Sequence, residues 1–350
     1  MTPLERVEAA LRWQPVDHVP FTVYERKLPT CATERQLRND GLCIVDRRIS
    51  YGGGHQGITT ETYGYVEDGK GLTRRVYHTP AGDLTSVVQP MGYTTWTHEH
   101  LFKGPEDYEP LLYLIESTSY SAAYEAFRKV QQDWRQDAFV RDGAPNIPIQ
   151  TLISGYMGTM TFSYEWIDRR DDVLRLINAL HRSFIDACKL IAEGPGVAVN
   201  LGGNHTPDIL GRANFEQYVV EVWEEACSIL QAGGKLVGSH LDDDNAHWAD
   251  LVAASSLDYV EAVTPAPDCD MTMAECRAAW PDKVLWINFP SSLHLKDAEF
   301  IAETTRELIA ASGDGRGVLI GVTEDVPPNR WEESYTTILA TCREAGPRPL

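Results

Sequence analysis

The chain has 350 residues, with 31 Lys and Arg against 51 Asp and Glu, so its formal net charge is −20. This charge argues against a nucleic-acid partner or an anionic membrane surface, because binding phosphates requires clustered Lys and Arg side chains. With 43% hydrophobic and 23% charged residues, the composition is that of an ordinary globular protein. No apolar run reaches the ~20 residues that a membrane-spanning helix needs.

The amino terminus has the pattern of a helix and not of a secretory leader. Thr2, Pro3 and Glu5 occupy the positions of an N-cap, a first-turn proline and a capping box. The segment has neither an apolar stretch nor a small-residue cleavage site. The seven cysteines are scattered and include no CxxC pair, which disfavours a disulfide framework. We therefore predict a cytoplasmic protein.

Residues 50–100 differ in composition from the rest of the chain. They are rich in Gly, Thr, Tyr and Val, in short alternating runs separated by turns such as Asp68-Gly69 and Ala81-Gly82. This pattern predicts an antiparallel β insertion or cap, and not a separate domain. Helices are then predicted at about 105–118 and 120–135.

From residue 137 onward, apolar strands alternate with amphipathic helices. The predicted strands of the whole chain are 19–25, 41–48, 137–143, 196–203, 235–242, 257–263, 283–289 and 317–322. The predicted helices in this half are 170–193, 213–232, 244–254, 271–280, 296–312 and 330–345. Such alternation requires a parallel sheet covered by helices, and eight strands favour a closed (β/α)8 TIM barrel that spans residues 1–350 as a single domain. The glycine-rich motifs of nucleotide-binding folds are absent from the sequence.

Polar residues follow five successive predicted strands. In a barrel of this kind the chemistry occurs at the carboxyl ends of the strands. Each residue alone is more typical of a loop or a helix cap, so only the joint pattern predicts a site. The residues are Asn204 and His205, His240 and Asp242, Glu261, Asn288, and Glu324.

His240 and Asp242 form a His-x-Asp pair at a strand end. Residues i and i+2 of an extended strand point to the same side, so this pair can share one metal ion or one proton. Zn²⁺ accepts His, carboxylate and Cys ligands and keeps one position for substrate. A helix-cap role is the alternative, which we prefer for Asp243 and Asp244. Cys269 is a further candidate ligand, although a loop thiol without a role fits its context better.

Five segments resemble the uroporphyrinogen decarboxylase superfamily and together extend over nearly the whole chain. They are TPLERVEAALRWQPVDHVP, YHTPAGDLTS, HLFKGPEDYEPLL, GGKLVGSHLDD and SSLDYVEAVTPAP. The resemblance implies a TIM barrel whose relatives either decarboxylate uroporphyrinogen or move methyl groups to or from a corrinoid protein. The basic motif of the decarboxylases is replaced here by FTVYERKLPTCATERQ, and the net charge suits an eight-carboxylate substrate poorly. The resemblance therefore points to the corrinoid-dependent methyltransferase branch.

The resemblance also implies a set of metal ligands. Members that methylate coenzyme M hold zinc with a His-x-Cys pair and a later cysteine. His240 stands at the histidine, Asp242 at the first cysteine and Glu324 near the second, so carboxylates replace both thiolates. Sulfur ligands suit soft thiolate substrates, and the harder set found here points to an O-methyl substrate. Glu261 or Cys269 would complete the ligand shell.

The sequence thus predicts a zinc-dependent methyltransferase that demethylates a small O-methyl compound. The methyl acceptor is a corrinoid (cobalamin) on a partner protein, because no cobalamin-binding DxHxxG motif is present. A homodimer is compatible with the sequence. The predicted catalytic residues are His240, Asp242, Glu261 and His205, the predicted zinc ligands are His240, Asp242 and Glu324, and the predicted cofactor contacts are Asn204 and Asn288.

Two other classes of function stay open at this point. One is a lyase or decarboxylase on the same barrel, with Asp242 or Glu261 as base and His205 or His240 as acid. The other is a non-catalytic protein that binds a ligand. Aromatic residues that would line a substrate pocket, or alternatively belong to the core, are Tyr93, Trp96, Tyr156, Trp286 and Phe289.

Overall fold

The structure, a computed structural model, describes residues 1–92 and 94–346. Within them the strands are β1 (Phe21–Tyr24), β2 (Cys43–Arg47), β3 (Tyr51–His55), β4 (Thr59–Glu67), β5 (Lys70–Thr79), β6 (Gly82–Met91), β7 (Thr94–Glu99), β8 (Thr118–Ala122), β9 (Ala138–Gly143), β10 (Ala198–Gly203), β11 (Leu236–His240), β12 (Tyr259–Val263), β13 (Val284–Asn288) and β14 (Val318–Val322).

The α-helices of the described residues are α1 (Pro3–Leu11), α2 (Ala32–Asn39), α3 (Tyr108–Glu116), α4 (Tyr124–Trp134), α5 (Pro148–Gln150), α6 (Thr159–Asp168), α7 (Arg170–Glu193), α8 (Pro207–Leu210), α9 (Arg212–Phe215), α10 (Glu221–Ala232), α11 (Ala249–Ala254), α12 (Met273–Ala279), α13 (Ala298–Ala311) and α14 (Trp331–Ala345). Two π-helical segments occupy Thr151–Met157 and Glu216–Val220. Short 3₁₀ turns occupy Pro105–Asp107, Ala246–Trp248 and Ser291–Leu295.

Eight parallel strands close into a barrel. Their order is β1-β14-β13-β12-β11-β10-β9-β2, and every neighbouring pair is parallel. All eight predicted strands are present, and the prediction of a TIM barrel is confirmed. The carboxyl ends of the strands therefore surround one mouth, as the argument for a site at the strand ends requires.

Contacts within the chain divide it into two compact units. The first, residues 1–50, 123–144 and 191–350, contains the barrel, and the second is made of residues 51–122 and 145–190. The second unit holds the antiparallel sheet β4-β5-β6-β7 and the strand pair β3-β8. The predicted antiparallel strands of residues 50–100 are thus present as β3 to β7. Their action as a cap of a single domain stays a prediction.

Large side chains fill the barrel interior below its mouth. Phe139, Trp286 and Tyr259 are buried there, with ring centroids of successive pairs 6.0 and 6.1 Å apart. A Cβ on Gly238 would overlap the Tyr259 ring, so only glycine lets these two strands approach here. Since side chains alternate along a strand, the residues two positions further on face the interior at the mouth. They are Arg141, Asn200, His240, Glu261 and Asn288.

The first helix begins as its sequence predicts. The Thr2 hydroxyl accepts a hydrogen bond from the Glu5 amide, and the Glu5 carboxylate accepts one from the Thr2 amide. This is the predicted capping box, followed by Pro3 in the first turn. Over residues 1–92 and 94–346 we find no helix with the length and apolar character needed to cross a membrane.

Candidate active site

Glu261 is the centre of a buried hydrogen-bond network at the barrel mouth. Its carboxylate accepts hydrogen bonds from the Tyr24 hydroxyl at 2.8 Å, from Asn200 Nδ2 at 2.7 Å, from His240 Nδ1 at 3.0 Å and from Arg141. Burial alone would raise its pKa, but the Arg141 charge and these hydrogen bonds lower the pKa to about 2. Glu261 is therefore an anion whose two oxygens are both occupied.

His240 lies between two carboxylates. Its Nδ1 donates to Glu261, while its Nε2 lies 3.5 Å from Asp242 Oδ2. Burial alone would lower the pKa of His240, but the hydrogen bonds and charges of Asp242 and Glu261 outweigh it and raise the pKa to about 9. The side chain is 17% exposed, so it is held firmly yet reaches the mouth. At neutral pH His240 is an imidazolium that presents a proton on Nε2.

Asp242 is held in place by the end of the neighbouring strand. Asn204 Nδ2 donates to Asp242 Oδ2 at 2.7 Å, and the Asn204 amide donates to the His240 carbonyl. The two strands touch closely here, because a Cβ on Gly203 would overlap that carbonyl. The sequence predicts Asn204 as a cofactor contact, and the structure shows it as a support for Asp242. Contact with a cofactor stays a prediction.

The backbone is strained at two non-glycine residues beside these groups. Asn204 has φ +59° and Ala262 has φ +61°, a region that residues with a Cβ seldom adopt. Ala262 lies where the pairing of β12 with β13 shifts register, between Glu261 and Val263. Such bulges re-aim a side chain, and here the affected side chain belongs to Glu261. Strained backbone of this kind is concentrated at functional sites.

His205 is buried next to the network and differs from His240 in its surroundings. It is 2% exposed, and neither ring nitrogen has a hydrogen-bond partner among the described residues. Its ring packs against Phe215 and Trp223, with centroids 5.7 and 5.9 Å away. Burial lowers the pKa of His205 to about 4, so it is neutral at pH 7. Of the two histidines predicted as acids, the geometry favours His240.

Asn288 ends β13 and Glu324 follows β14, and these two strands are neighbours in the barrel, with β13 next to β12. Asn288 Nδ2 donates to the Thr323 hydroxyl at 2.8 Å, while Asn288 Oδ1 is buried without a partner in the part of the chain that the structure describes. Glu324 accepts a hydrogen bond from the Ser291 hydroxyl. Burial raises the pKa of Glu324, and the negative charge of Asp242 adds to this effect. The cofactor contact predicted for Asn288 is not tested by this geometry.

The predicted zinc site requires three converging donors. The described residues contain no group of three His, Cys, Asp or Glu side chains placed to hold a metal ion. His240 Nε2 and Asp242 are adjacent, but Glu324 is engaged by Ser291. Burial and nearby acidic residues raise the pKa of the Cys269 thiol to about 12, so it is not a ready thiolate ligand. As arranged, these residues do not fit a three-ligand zinc site, and zinc binding by His240, Asp242 and Glu324 stays a prediction.

Three of the four donors to Glu261 are not predicted from the sequence: Tyr24, Arg141 and Asn200. Two of them carry a recognisable pattern. Arg141 follows Phe139 by two positions in a strand of buried residues, and Asn200 follows Ala198 in the same way. A polar residue on the inward face of an apolar strand therefore indicates a site. Tyr24 has no such signature, because a tyrosine in a buried strand is usually a core residue.

The helix-cap prediction for Asp243 and Asp244 is wrong. The Asp243 carboxylate accepts a hydrogen bond from the adjacent Asp244 amide, and the Asp243 carbonyl accepts one from Asn245 Nδ2. The amides of Asn245 and Ala246, where the 3₁₀ turn begins, are bound instead by the Asp270 carboxylate. The loop after β12 folds back and supplies this acceptor, which a local pattern cannot reveal.

The aromatic residues proposed for a substrate pocket have different surroundings. Trp286 and Phe289 are 2% and 1% exposed, so for them the core interpretation holds. Trp96 is exposed, and Tyr156 lines a cavity in the second unit. Tyr93 lies outside the described residues.

The barrel is similar to solved structures. A methyltransferase from Methanosarcina mazei matches with a TM-score of 0.61 and 12% identity, over 99% of each chain. A sugar phosphate isomerase/epimerase from Parabacteroides distasonis matches with a TM-score of 0.40 and 11% identity, over 94% of this chain and 95% of the other. No protein-family model and no curated protein match the sequence. The first likeness supports the TIM-barrel fold, and membership of the uroporphyrinogen decarboxylase superfamily stays a prediction.

Proposed function

We propose that this protein is a methyltransferase that removes the methyl group of a small O-methyl compound and transfers it to a corrinoid carried by a partner protein. The position of His240 at the barrel mouth, with Nδ1 3.0 Å from Glu261 and Nε2 3.5 Å from Asp242, is the observation on which the proposal depends. The sequence resemblance and the fold shared with the Methanosarcina mazei methyltransferase support the same class of reaction. A proton donor at this position meets the chemical need of that reaction.

Methyl transfer from oxygen requires that the departing oxygen be stabilised. The methyl carbon forms a bond to the nucleophilic acceptor, and the electron pair of the C–O bond stays on oxygen. In the proposed step the Nε2 proton of His240 moves to that oxygen, so an alcohol or phenol leaves and not its anion. His240 becomes neutral while Glu261 retains its Nδ1 hydrogen bond. Asp242, next to Nε2, then attracts the proton that restores the imidazolium.

The two carboxylates of His240 have different parts in this scheme. Glu261 has no unoccupied oxygen with which to act as a base, so it is a positioning residue that fixes the imidazole and stabilises its charge. The Asp242 carboxylate accepts a hydrogen bond from Asn204 and lies beside His240 Nε2, and the residue is half-buried, so it is accessible at the mouth. This division argues against Glu261 as the base of a lyase.

The proposal is tested by methyl transfer from a panel of alkyl and aryl methyl ethers to reduced cobalamin or a reduced corrinoid protein. The absorbance of methylcobalamin is the readout. We expect His240→Gln to lower the rate by ~10²–10⁴-fold, the range for loss of a general acid. His247→Gln is the matched control, because His247 is exposed on the 3₁₀ turn after β11. An unchanged rate in His240→Gln, or efficient methylation of a thiol in place of the corrinoid, would contradict the proposal.

Metal analysis on the same preparations separates the two roles of His240. Proton donation predicts that zinc-supplemented protein binds no stoichiometric metal at this site and that chelation leaves the rate unchanged. About one zinc per chain that is lost in both His240→Gln and Asp242→Asn would instead assign the pair to a metal. Methyl transfer could then stand while the proton-donor step fails.

A further inference from the structure

The second unit contains a cavity that the proposed function does not use. Its volume is about 360 Å³, within the roughly 300–1,000 Å³ of typical small-molecule sites. Residues that line it include Gly54, His55, Tyr120, Asn146, Tyr156 and Phe184. All of them lie in residues 51–122 and 145–190, so the cavity belongs to this unit alone.

An unusual backbone segment shapes one wall. Thr151, Ser154, Gly155 and Tyr156 all line the cavity, and all lie in the π-helical segment Thr151–Met157. π-helical turns are rare and are frequently found at functional sites. The wider turn is stabilised locally, since the Ser154 hydroxyl donates to the Gln150 carbonyl at 2.8 Å.

Tyr120 is a second element of the lining. A Cβ on Gly53 would lie 2.9 Å from the Tyr120 ring, so the ring rests directly on the backbone of β3. Tyr51 contacts it edge-on with centroids 5.2 Å apart, and the Ser183 hydroxyl donates to its oxygen at 3.4 Å. Tyr120 is therefore fixed without a ligand present, which reduces the entropy lost on binding.

The lining combines polar and apolar groups and carries no formal charge. None of the described residues that line the cavity is Asp, Glu, Lys or Arg. His55 lies within hydrogen-bond distance of the Thr118 hydroxyl at 3.3 Å, and burial lowers its pKa, so it is neutral at pH 7. Burial raises the pKa of Tyr156 to about 12, so this phenol is neutral as well. An ionic ligand would find no counter-charge here.

We propose that this cavity is a binding site for an uncharged ring compound that carries hydroxyl groups. The aromatic side chains Tyr120, Tyr156 and Phe184 supply surfaces for a ring. The hydroxyl, amide and imidazole groups around them supply partners for hydroxyls, as small-molecule sites typically do. A phenol and a monosaccharide share this chemistry. The inference is independent of methyl transfer, because it rests on residues of the second unit only.

Calorimetric titration of the full chain with phenol, D-glucose and benzoate tests this inference. We expect phenol or D-glucose to bind with a Kd in roughly the millimolar range or tighter. Benzoate should bind at least roughly tenfold more weakly, because its charge is unpaired. Binding of phenol alone identifies an aromatic ligand, and binding of D-glucose alone a sugar-like one. If neither binds, or if benzoate binds as tightly, the proposal is wrong.

Ser183 offers a way to fill the cavity. It is a lining residue whose hydroxyl donates to the Tyr120 oxygen at 3.4 Å, so Ser183→Phe places a ring beside Tyr120. We expect this variant to weaken binding at least roughly tenfold. Ser163→Phe is the control, since Ser163 is exposed on α6 and is not among the lining residues. Equal affinities in the two variants would overturn the proposal.

A second variant covers the case in which Ser183→Phe is poorly folded. Tyr156→Phe keeps the ring and removes only the hydroxyl, so we expect a few-fold loss of affinity with an unchanged thermal midpoint. Unchanged binding in Tyr156→Phe together with unchanged binding in a folded Ser183→Phe would place the ligand elsewhere.

Discussion

The carboxylates at the barrel mouth fall into two groups with opposite surroundings. The inner group is Glu261 alone, completely buried, with both oxygens occupied by donors from four other strands. The outer group, Asp242 and Glu324, is only partly buried and has few hydrogen-bond partners. The inner carboxylate is fixed before any substrate arrives, whereas the outer ones retain lone pairs for chemistry.

This difference shows how one kind of side chain takes on two tasks. A buried anion is costly unless it is paired and hydrogen-bonded, so the satisfaction of Glu261 by Arg141, Tyr24 and Asn200 is a condition for folding. That fixed charge in turn holds His240 protonated. Substitution of the outer carboxylates should reduce the stability of the fold less. It should directly affect the proton on His240 Nε2.

The largest effect on stability is expected where the inner group is broken. Arg141→Met leaves the Glu261 anion buried without its strongest partner, and removal of one member of a buried ion pair costs ~3–5 kcal/mol. Denaturant unfolding measures this loss of stability. The control is Arg128→Met, because Arg128 pairs with Glu125 on an exposed helix face and such pairs contribute ~0–1 kcal/mol. If the double variant Arg141→Met/Glu261→Gln is more stable than Arg141→Met, the ion-pair explanation is supported. Equal losses of stability in Arg141→Met and Arg128→Met would refute it.

The second expected effect is a loss of stability at alkaline pH. The folded-state pKa of His240 is raised to about 9 from an ordinary value of 6.5. Its contribution to stability is therefore complete below pH 6.5 and is lost as the pH rises towards 9, at ~1.4 kcal/mol for each unit of pKa difference. Titratable groups that face or influence His240 are Asp242, Glu261, Tyr24, His205 and Glu324.

The free energy of unfolding of chelator-treated protein, measured at several pH values, tests this expected loss of stability. The free energy of unfolding should decrease between pH 6.5 and 9 in the wild type, and this decrease should be absent in His240→Gln. A fall of the same size in both would assign it to other groups. On the acid side Glu261, with its pKa lowered to about 2, behaves in the opposite way, and its contribution is lost as the pH decreases through that value.

A smaller effect is expected in the outer group. Asp242→Asn keeps the shape of the side chain and removes the charge beside His240 Nε2, so we expect a loss of ~10–100-fold in methyl transfer, the range for residues that support a reacting group. Its pH–rate profile should also shift to lower pH, because His240 loses one of the two charges that raise its pKa. Stability should change little. A profile that does not move would show that Asp242 does not act through His240.

The sequence predicts the barrel and the carboxylates Asp242, Glu261 and Glu324 at its mouth, and the reasons are local. The apolar runs 283–289 and 317–322 each give a buried parallel strand, and a polar residue after such a strand falls at the mouth. The hydrogen bonds that Glu261 accepts depend on barrel closure. Tyr24 and Glu261 are 237 positions apart and meet only because the chain closes around the barrel. The π-helical segment Thr151–Met157 is likewise set by packing, which a periodic pattern does not encode.

The smallest expected effect separates structural from chemical carboxylates at the mouth. Asp270 binds the amides of Asn245 and Ala246, a role equivalent to a helix cap, so Asp270→Ala should cost ~1 kcal/mol of stability. Asp243→Ala should cost less, because the Asp243 carboxylate accepts its hydrogen bond from the adjacent Asp244 amide and not from the 3₁₀ turn. Neither variant should change the rate of methyl transfer by more than a few-fold, since neither side chain contacts His240.

Thermal midpoints and methyl-transfer rates, measured on both variants, test this assignment of Asp243 and Asp270. A larger loss of stability in Asp243→Ala than in Asp270→Ala would show that Asp243 is the cap after all. A large loss of rate in Asp243→Ala would show that Asp243, and not Asp242, is the carboxylate that acts on His240.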